Sequence, residues 1–327
     1  MSNDDQVPED SSAIPGLHDL RQWRSEVADD EAIADHPDDA PAVDDEEAPP
    51  PGPPLYKRLG VLLQLDRNDA MVLARPEDRR GLLPETIIVL GVSLGASAVW
   101  SILSIINSLT MRVALNQQTT TINSSVTPDR PWLDLLYQLA RIILPLFAVA
   151  LAFYLLSRVR RPDGAPFRVM GIRWANVPKD TALGLLLAGV IGIPGLGLYL
   201  IARLLGANLN VNPADLSAFW WTIPAYILLA AMNGILEEVI MVGYLFTRWT
   251  QIDWHPWIVI VTSALIRGSY HLYQGFGGFV GNAIMGTVFG WVYMRTKRVL
   301  PLVIAHTILD IVSFVGYALL KGVWTWL

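Results

Sequence analysis

The sequence predicts an all-α fold: a polytopic transmembrane bundle of about seven spans that follows a disordered, acidic N-terminal tail. Of its 327 residues, 52% are hydrophobic, and the mean hydropathy is positive. The apolar residues are gathered into runs long enough to cross a bilayer. Charge is uneven as well, because residues 1–50 hold 16 acidic and two basic residues, a local charge of −14. The whole chain is −6, so the remainder carries +8.

The first 83 residues divide into two predicted segments. Residues 1–54 are rich in Asp, Glu, Ala and Pro and lack apolar periodicity, which predicts a disordered cytoplasmic tail. A docking motif for a cytoplasmic partner is the alternative. Residues 55–83 alternate apolar and charged groups, as expected of a juxtamembrane segment lying at the membrane surface. No basic apolar leader begins the chain, so no cleavable signal peptide is expected.

Two function classes are excluded by composition. The chain has no cysteine, which rules out disulfides, a thiolate nucleophile and cysteine-ligated metal. No basic patch with interleaved aromatic residues is present, so nucleic acid is not an expected partner. The expected surroundings are instead the lipid bilayer.

Seven apolar segments follow the tail. Residues 84–180 hold the first two spans and a basic connector, and residues 181–320 hold the other five, which we take as the core. Pro194 lies inside the third span and is expected to kink or break it. The predicted spans are about 84–109, 133–156, 181–205, 218–249, 256–272, 278–294 and 299–320.

The distribution of Lys and Arg between the short loops predicts the orientation. Basic clusters precede the first span and follow the second, the fourth and the sixth, and these positions all fall on one side of the membrane. The N-terminus is therefore expected in the cytoplasm and, for seven spans, the C-terminus outside. We expect a multi-pass protein of the plasma membrane.

Ionisable residues inside the last spans are the candidates for chemistry, because such groups are costly in lipid and rare without a partner or a function. Residues four apart share a helix face, so the fifth and seventh spans each present a pair of polar side chains to one side. Adjacent glutamates in the fourth span point about 100° apart, as the geometry of an α-helix dictates. One is then the chemical group, and the other is its neighbour. The six residues are Glu237, Glu238, Arg267, His271, His306 and Asp310.

Carboxylates and imidazoles without a serine or cysteine nucleophile favour the activation of a water molecule. A glutamate can serve as general base, and a histidine can orient the water or stabilise an oxyanion. Two histidines and a carboxylate could also hold zinc, although the motif His-Glu-x-x-His is absent. We expect no cofactor, with zinc left open as the less favoured case. A proton-coupled transporter and a non-catalytic scaffold with a degenerate site are the other functions compatible with these residues.

These motifs, in this order, resemble those of the CPBP intramembrane endopeptidases, which include the type II CAAX prenyl proteases and bacteriocin-immunity relatives. The resemblance covers residues 180–320. It implies hydrolysis of a peptide bond in a membrane-embedded polar cavity, with a peptide or membrane-anchored protein as substrate. Members are often labelled metalloproteases. The roles implied are water activation by Glu237 with Glu238 beside it, assistance by His271, and oxyanion stabilisation by His306 and Asp310.

The chain departs from the family pattern at three positions. The arginine of the motif Glu-Glu-x-x-x-Arg is Val242, and the phenylalanine of Phe-x-x-x-His is Arg267. We expect the cation to have moved from the fourth span to the fifth, where Arg267 still pairs with the glutamates. Asp310 replaces the commoner asparagine, and an ionised carboxylate cannot donate to an oxyanion. Asp310 is then either protonated or it orients His306, which becomes the donor.

Overall fold

The computed structural model describes residues 76–158 and 166–321, together with Leu65; the predicted tail lies outside the described residues. Two π-helical segments, Glu238–Tyr244 and Val312–Gly316, each join two α-helices end to end. Two strands, β1 (Thr119–Thr121) and β2 (Asn210–Asn212), pair in parallel. The α-helices are α1 (Pro76–Gly91), α2 (Leu94–Thr110), α3 (Pro131–Ile143), α4 (Leu146–Ser157), α5 (Pro166–Val169), α6 (Val177–Leu204), α7 (Thr222–Glu237), α8 (Leu245–Gln251), α9 (Pro256–Ser269), α10 (Phe276–Thr296), α11 (Leu300–Ile311) and α12 (Tyr317–Leu320).

Helices occupy all seven predicted segments, but the count of seven spans is confirmed only in part. Among the described residues, four helical stretches are long and apolar enough to cross a membrane, and α1 with α2 makes a fifth if that bent pair is one span. Helix α9 is apolar but has only 14 residues. The four stretches are Pro131–Ser157, Phe167–Leu204, Thr222–Gln251 and Leu300–Leu320. The chain is a multi-pass membrane protein.

Two of the predicted spans are broken in the middle. Helices α1 and α2 meet at 56°, and Ser93 at the bend donates its hydroxyl to the Val89 carbonyl at 2.6 Å. The second break lies at Pro145, whose missing N–H interrupts the hydrogen-bond ladder between α3 and α4. Pro194, by contrast, sits inside the uninterrupted helix α6, so the break that it could have produced is not found. Membrane helices tolerate proline because local adjustment satisfies the freed carbonyl.

Apart from Leu65, the part of 55–83 that the structure describes is helical. Residues 76–83 form the first two turns of α1 and are continuous with the first predicted span, so the boundary expected at residue 84 is not seen. The connector between the first two predicted spans contains a 3₁₀ turn and strand β1.

Successive connectors between the helices lie alternately at the two ends of the bundle, and connectors at the same end contact one another. At one end, the Val299 amide donates to the Met170 carbonyl at 3.0 Å. Gly171 there has φ +70°, and a Cβ on it would lie 1.8 Å from the Lys297 carbonyl oxygen. Burial lowers the pKa of Lys297 to about 8. The β1–β2 pair joins the connectors of the other end. This alternation agrees with the loop positions that the charge bias predicts, whereas the sidedness itself stays a prediction.

Glycines set the closest helix contacts around the centre. A Cβ on Gly234 of α7 would lie 2.6 Å from Thr307 Oγ1 of α11. A Cβ on Gly286 of α10 would lie 3.1 Å from the Cα of Ala264 in α9. Small residues therefore let α7 reach α11, and α9 reach α10, at a distance that larger side chains would prevent. These contacts bring the polar faces of α7, α9 and α11 together.

Candidate active site

All six ionisable residues singled out in the sequence lie in one cluster. Glu237 ends α7, and Glu238 begins the π-helical segment that follows it. Helix α9 supplies one residue in its last turn and one just after its end, and α11 supplies two residues one turn apart. The stretch Thr222–Gln251, which carries both glutamates, is mostly buried. The members of the cluster from the other helices are Arg267, His271, His306 and Asp310.

Glu238 is sealed in the interior between a guanidinium and an imidazole. Its side chain is 0% exposed, and its Oε1 atom lies 2.7 Å from Arg267 Nη1 and 2.7 Å from His306 Nδ1. The ion pair that we expected between Arg267 and the glutamates is therefore present. Since a buried carboxylate without a partner would be strongly destabilising, these two contacts offset the cost of burying Glu238.

Glu237 occupies the more open side of the cluster. Its Oε2 atom accepts the Tyr270 hydroxyl at 2.7 Å and lies 3.8 Å from His271 Nε2. Arg267 Nη1 is 3.9 Å from the same oxygen, so the guanidinium serves both glutamates. The side chains of Glu237 and His271 are 10% and 15% exposed, whereas that of Glu238 is fully covered. The adjacent acids thus have different surroundings and different access.

His306 lies between two acids. Its Nδ1 contacts Glu238, and its Nε2 is 3.9 Å from Asp310 Oδ1, one turn further along α11. The other oxygen of Asp310 accepts a hydrogen bond from the Asn233 side-chain amide of α7 at 2.9 Å. Along the sequence, His306 lies closer to the start of its own helix than the glutamates lie to the start of theirs. The contact between His306 and Glu238 nevertheless places these two residues at the same depth in the bundle.

The π-helical segment after Glu237 is a feature that the sequence pattern did not reveal. Ser263 of α9 donates its hydroxyl to the Met241 carbonyl at 2.8 Å, within this segment. Wider helical turns of this kind occur often at functional sites. Val242, which stands where the family pattern has arginine, is 1% exposed and packs in the apolar core. The cation of this site accordingly comes from α9.

Two further polar residues belong to the cluster and were missed by sequence reasoning. Tyr270 precedes His271, and its hydroxyl contacts Glu237; Asn233 lies one turn before Glu237 and contacts Asp310. Helical spacing offered a signal for Asn233, since residues four apart share a face. Tyr270 gave no such signal, because its position in the turn after α9 follows no helical period.

Four buried polar atoms of the cluster have no hydrogen-bond partner of good geometry among the described residues, although one of them, Arg267 Nη1, is ion-paired with Glu238. They are Glu238 Oε2, Arg267 Nη1, Arg267 Nη2 and His271 Nε2. An unpaired buried polar atom costs about 1–3 kcal/mol, so such atoms normally contact water or a ligand. His271 Nε2 and Glu237 Oε2 are 3.8 Å apart, beyond direct hydrogen-bond distance, so both atoms remain open to a water molecule.

The residue set does not fit a metal ion. Within the described part of the chain, no three His, Asp or Glu side chains are grouped so that they could hold one. Arg267 lies against both glutamates, and its positive charge opposes a cation at the same carboxylates. The mechanism below therefore uses no metal.

A partly buried ion pair lies away from this cluster. Arg248 Nε is 2.8 Å from Glu85 Oε1, and Tyr244 donates its hydroxyl to the same oxygen at 2.8 Å. Arg248 also donates to the Leu155 carbonyl at 3.0 Å. These contacts join α1, α4 and α8, so their role is to hold the first spans against the central helix.

Comparison with known proteins places the cluster inside a recognised domain. Residues 219–312 match the family model described as type II CAAX prenyl endopeptidase Rce1-like, and this stretch contains all six residues of the cluster. No curated protein and no solved structure matched the chain. The resemblance inferred from the motifs is confirmed at this level: residues 219–312 are similar to the Rce1-like family of type II CAAX prenyl endopeptidases.

Proposed function

We propose that the protein is an intramembrane endopeptidase in which Glu237 and His271 activate a water molecule directly. The proposal rests on one observation, which is that the two glutamates have different contacts and different exposure. Glu238 is fixed by a guanidinium and an imidazole, whereas Glu237 keeps an accessible edge opposite His271. A general base needs access to its proton donor and a neighbour that orients the water, and Glu237 has both.

The reaction begins with a water held between Glu237 and His271. Glu237 takes one proton from this water while the oxygen attacks the carbonyl carbon of the scissile peptide, and the carbonyl oxygen becomes an oxyanion. When the tetrahedral intermediate collapses, the carbon–nitrogen bond breaks. Glu237 then returns its proton to the leaving amine, so that water has been added across the bond and the enzyme is restored.

Glu238 acts by fixing the electrostatics of the site. Between Arg267 and His306 it orients both groups. In this proposal His306 faces the attacked carbonyl oxygen as that oxygen gains charge, and Asp310 helps to hold the donors there in position. Preorganised groups of this kind lower the barrier because they need no rearrangement during the reaction.

The expected substrate is a peptide or a membrane-anchored protein, cut close to the membrane. We place the protein in the plasma membrane with its N-terminus in the cytoplasm, as the distribution of basic residues between the loops predicts. The basic connectors that meet at one end of the bundle would then face the cytoplasm.

Cleavage of membrane-proximal peptides by the purified full-length protein in detergent tests the proposal. Wild type is compared with His271→Asn and with His255→Asn as the matched control. His255 is exposed and caps α9, where its Nδ1 accepts the Trp257 amide at 3.3 Å. We expect His271→Asn to lose cleavage and His255→Asn to keep it. Failure of the wild type to cleave any peptide, with proton uptake by liposomes that contain it, would instead indicate a transporter.

A further inference from the structure

The proposed reaction needs a hydrogen-bond donor for the oxyanion beside His306, and Asp310 as a carboxylate cannot supply it. Of the donors on the other side, Arg267 and Tyr270 are only 1% and 5% exposed. The Tyr270 hydroxyl is in addition committed to Glu237. These two side chains therefore face the glutamates rather than a bound peptide.

Asn233 has the access and the spare donor that those residues lack. It is half-buried and lies one helical turn before Glu237, so the two side chains share a face of α7. Its amide nitrogen donates to Asp310 Oδ2 at 2.9 Å. A side-chain amide carries two N–H groups, so one remains after this hydrogen bond is made.

The contact with Asp310 also determines how the amide is turned. A carboxylate oxygen only accepts, so it selects the nitrogen of Asn233 rather than the oxygen. The amide is thereby held with its nitrogen toward α11 and the side of His306. The close approach of α7 and α11 at Gly234, where an added Cβ would lie 2.6 Å from Thr307 Oγ1, keeps the two residues at this distance.

We propose that Asn233 is a catalytic residue whose free N–H stabilises the oxyanion, and that Asp310 is the residue that positions it. This inference rests on the proposed endopeptidase activity and assigns two further roles within it. The neutral amide gives the site a donor that no titration removes, next to a histidine that is flanked by Glu238 and Asp310.

Three variants test the assignment: Asn233→Ala, Asp310→Asn and the two combined, each measured for kcat and KM on a cleaved peptide. Loss of one oxyanion donor lowers kcat by about 10²–10³-fold in other hydrolases, and we expect this of Asn233→Ala with little change in KM. Asp310→Asn keeps a neutral acceptor for Asn233 but loses the carboxylate that turns the amide, so we expect it to lower kcat by a smaller factor than Asn233→Ala does. In the double variant the new amide at position 310 can donate, so kcat should recover most of the loss.

Each outcome of these measurements either supports or overturns the role of Asn233. An unchanged kcat in Asn233→Ala overturns the inference, and so does a double variant that is no faster than Asn233→Ala alone. With either of these results, the proposed function still holds if the wild type cleaves the peptide and needs Glu237 to do so. A wild type that cleaves no peptide overturns both the proposed function and this inference. Asn282→Ala is the control, because Asn282 donates to the Gly278 carbonyl within α10 and should not affect kcat.

Discussion

Replacing Arg267 by methionine tests whether one guanidinium holds both glutamates in the interior. Its Nη1 is 2.7 Å from Glu238 and 3.9 Å from Glu237, and the side chain is 1% exposed. Methionine fills much of the volume but leaves the carboxylates without their shared counter-charge. Removing one partner of a buried ion pair costs about 3–5 kcal/mol, so we expect Arg267→Met to lower the free energy of unfolding by that order.

The assay is thermal unfolding of the full-length protein in detergent, followed by the fluorescence of its 12 tryptophans. Adding Glu238→Gln to the Arg267→Met variant removes the uncompensated charge. We therefore expect the double variant to melt at a higher temperature than Arg267→Met alone, a non-additive result that a double-mutant cycle measures. Equal melting temperatures for wild type and Arg267→Met would refute the reasoning.

The chain offers a control in the partly buried ion pair of Arg248 and Glu85. Arg248 lies 2.8 Å from Glu85, away from the cluster. We expect Arg248→Met to lower the melting temperature as well, but to leave cleavage intact below it, whereas Arg267→Met should lose both. Loss of cleavage in Arg248→Met at temperatures where it is folded would contradict the separation of the two networks.

Three further results are expected. Gly234→Ala should destabilise the protein and reduce cleavage, because its Cβ would lie 2.6 Å from Thr307 Oγ1. Gly189→Ala should do neither, because its Cβ would have nothing within 4 Å. Equal melting temperatures for the two variants would contradict this expectation. Tyr270→Phe removes a hydroxyl 2.7 Å from Glu237 and should lower kcat without unfolding the protein, because one donor to a charged group contributes about 1.5–3 kcal/mol. Chelators such as EDTA should leave cleavage unchanged, and sensitivity to them would require a metal at the glutamates.

The members of the cluster could be predicted from the sequence because ionisable residues are rare in segments that cross a lipid bilayer. Six such residues in apolar segments, two pairs of them four apart, could be recognised from cost and helical period alone. The pairing of Arg267 with the glutamates also followed from charge balance, and the family resemblance indicated that Arg267 takes the place of the arginine missing at Val242. What the pattern could not give was distance, since the approach of α7 to α11 depends on Gly234 meeting Thr307 across some 70 positions of sequence.

Other features could not be predicted for local reasons. The π-helical turn after Glu237 depends on contacts such as that of Ser263 with the Met241 carbonyl, which joins different helices. The bend between α1 and α2 lies in an apolar stretch, whereas Pro194, the expected breaking point, is accommodated within α6. Tyr270 and Asn233 are ordinary residues in sequence and gain significance only through their neighbours Glu237 and Asp310.

The most direct test of the account compares the same substitution at two adjacent positions. Single-turnover cleavage and melting temperature are measured for Glu237→Gln and Glu238→Gln beside wild type. A lost general base costs about 10²–10⁴-fold, so Glu237→Gln should lose cleavage by this factor while remaining folded. Glu238→Gln should mainly lower the melting temperature, because it deprives Arg267 and His306 of their common partner. A Glu237→Gln variant that cleaves as fast as wild type would contradict the water-activation mechanism.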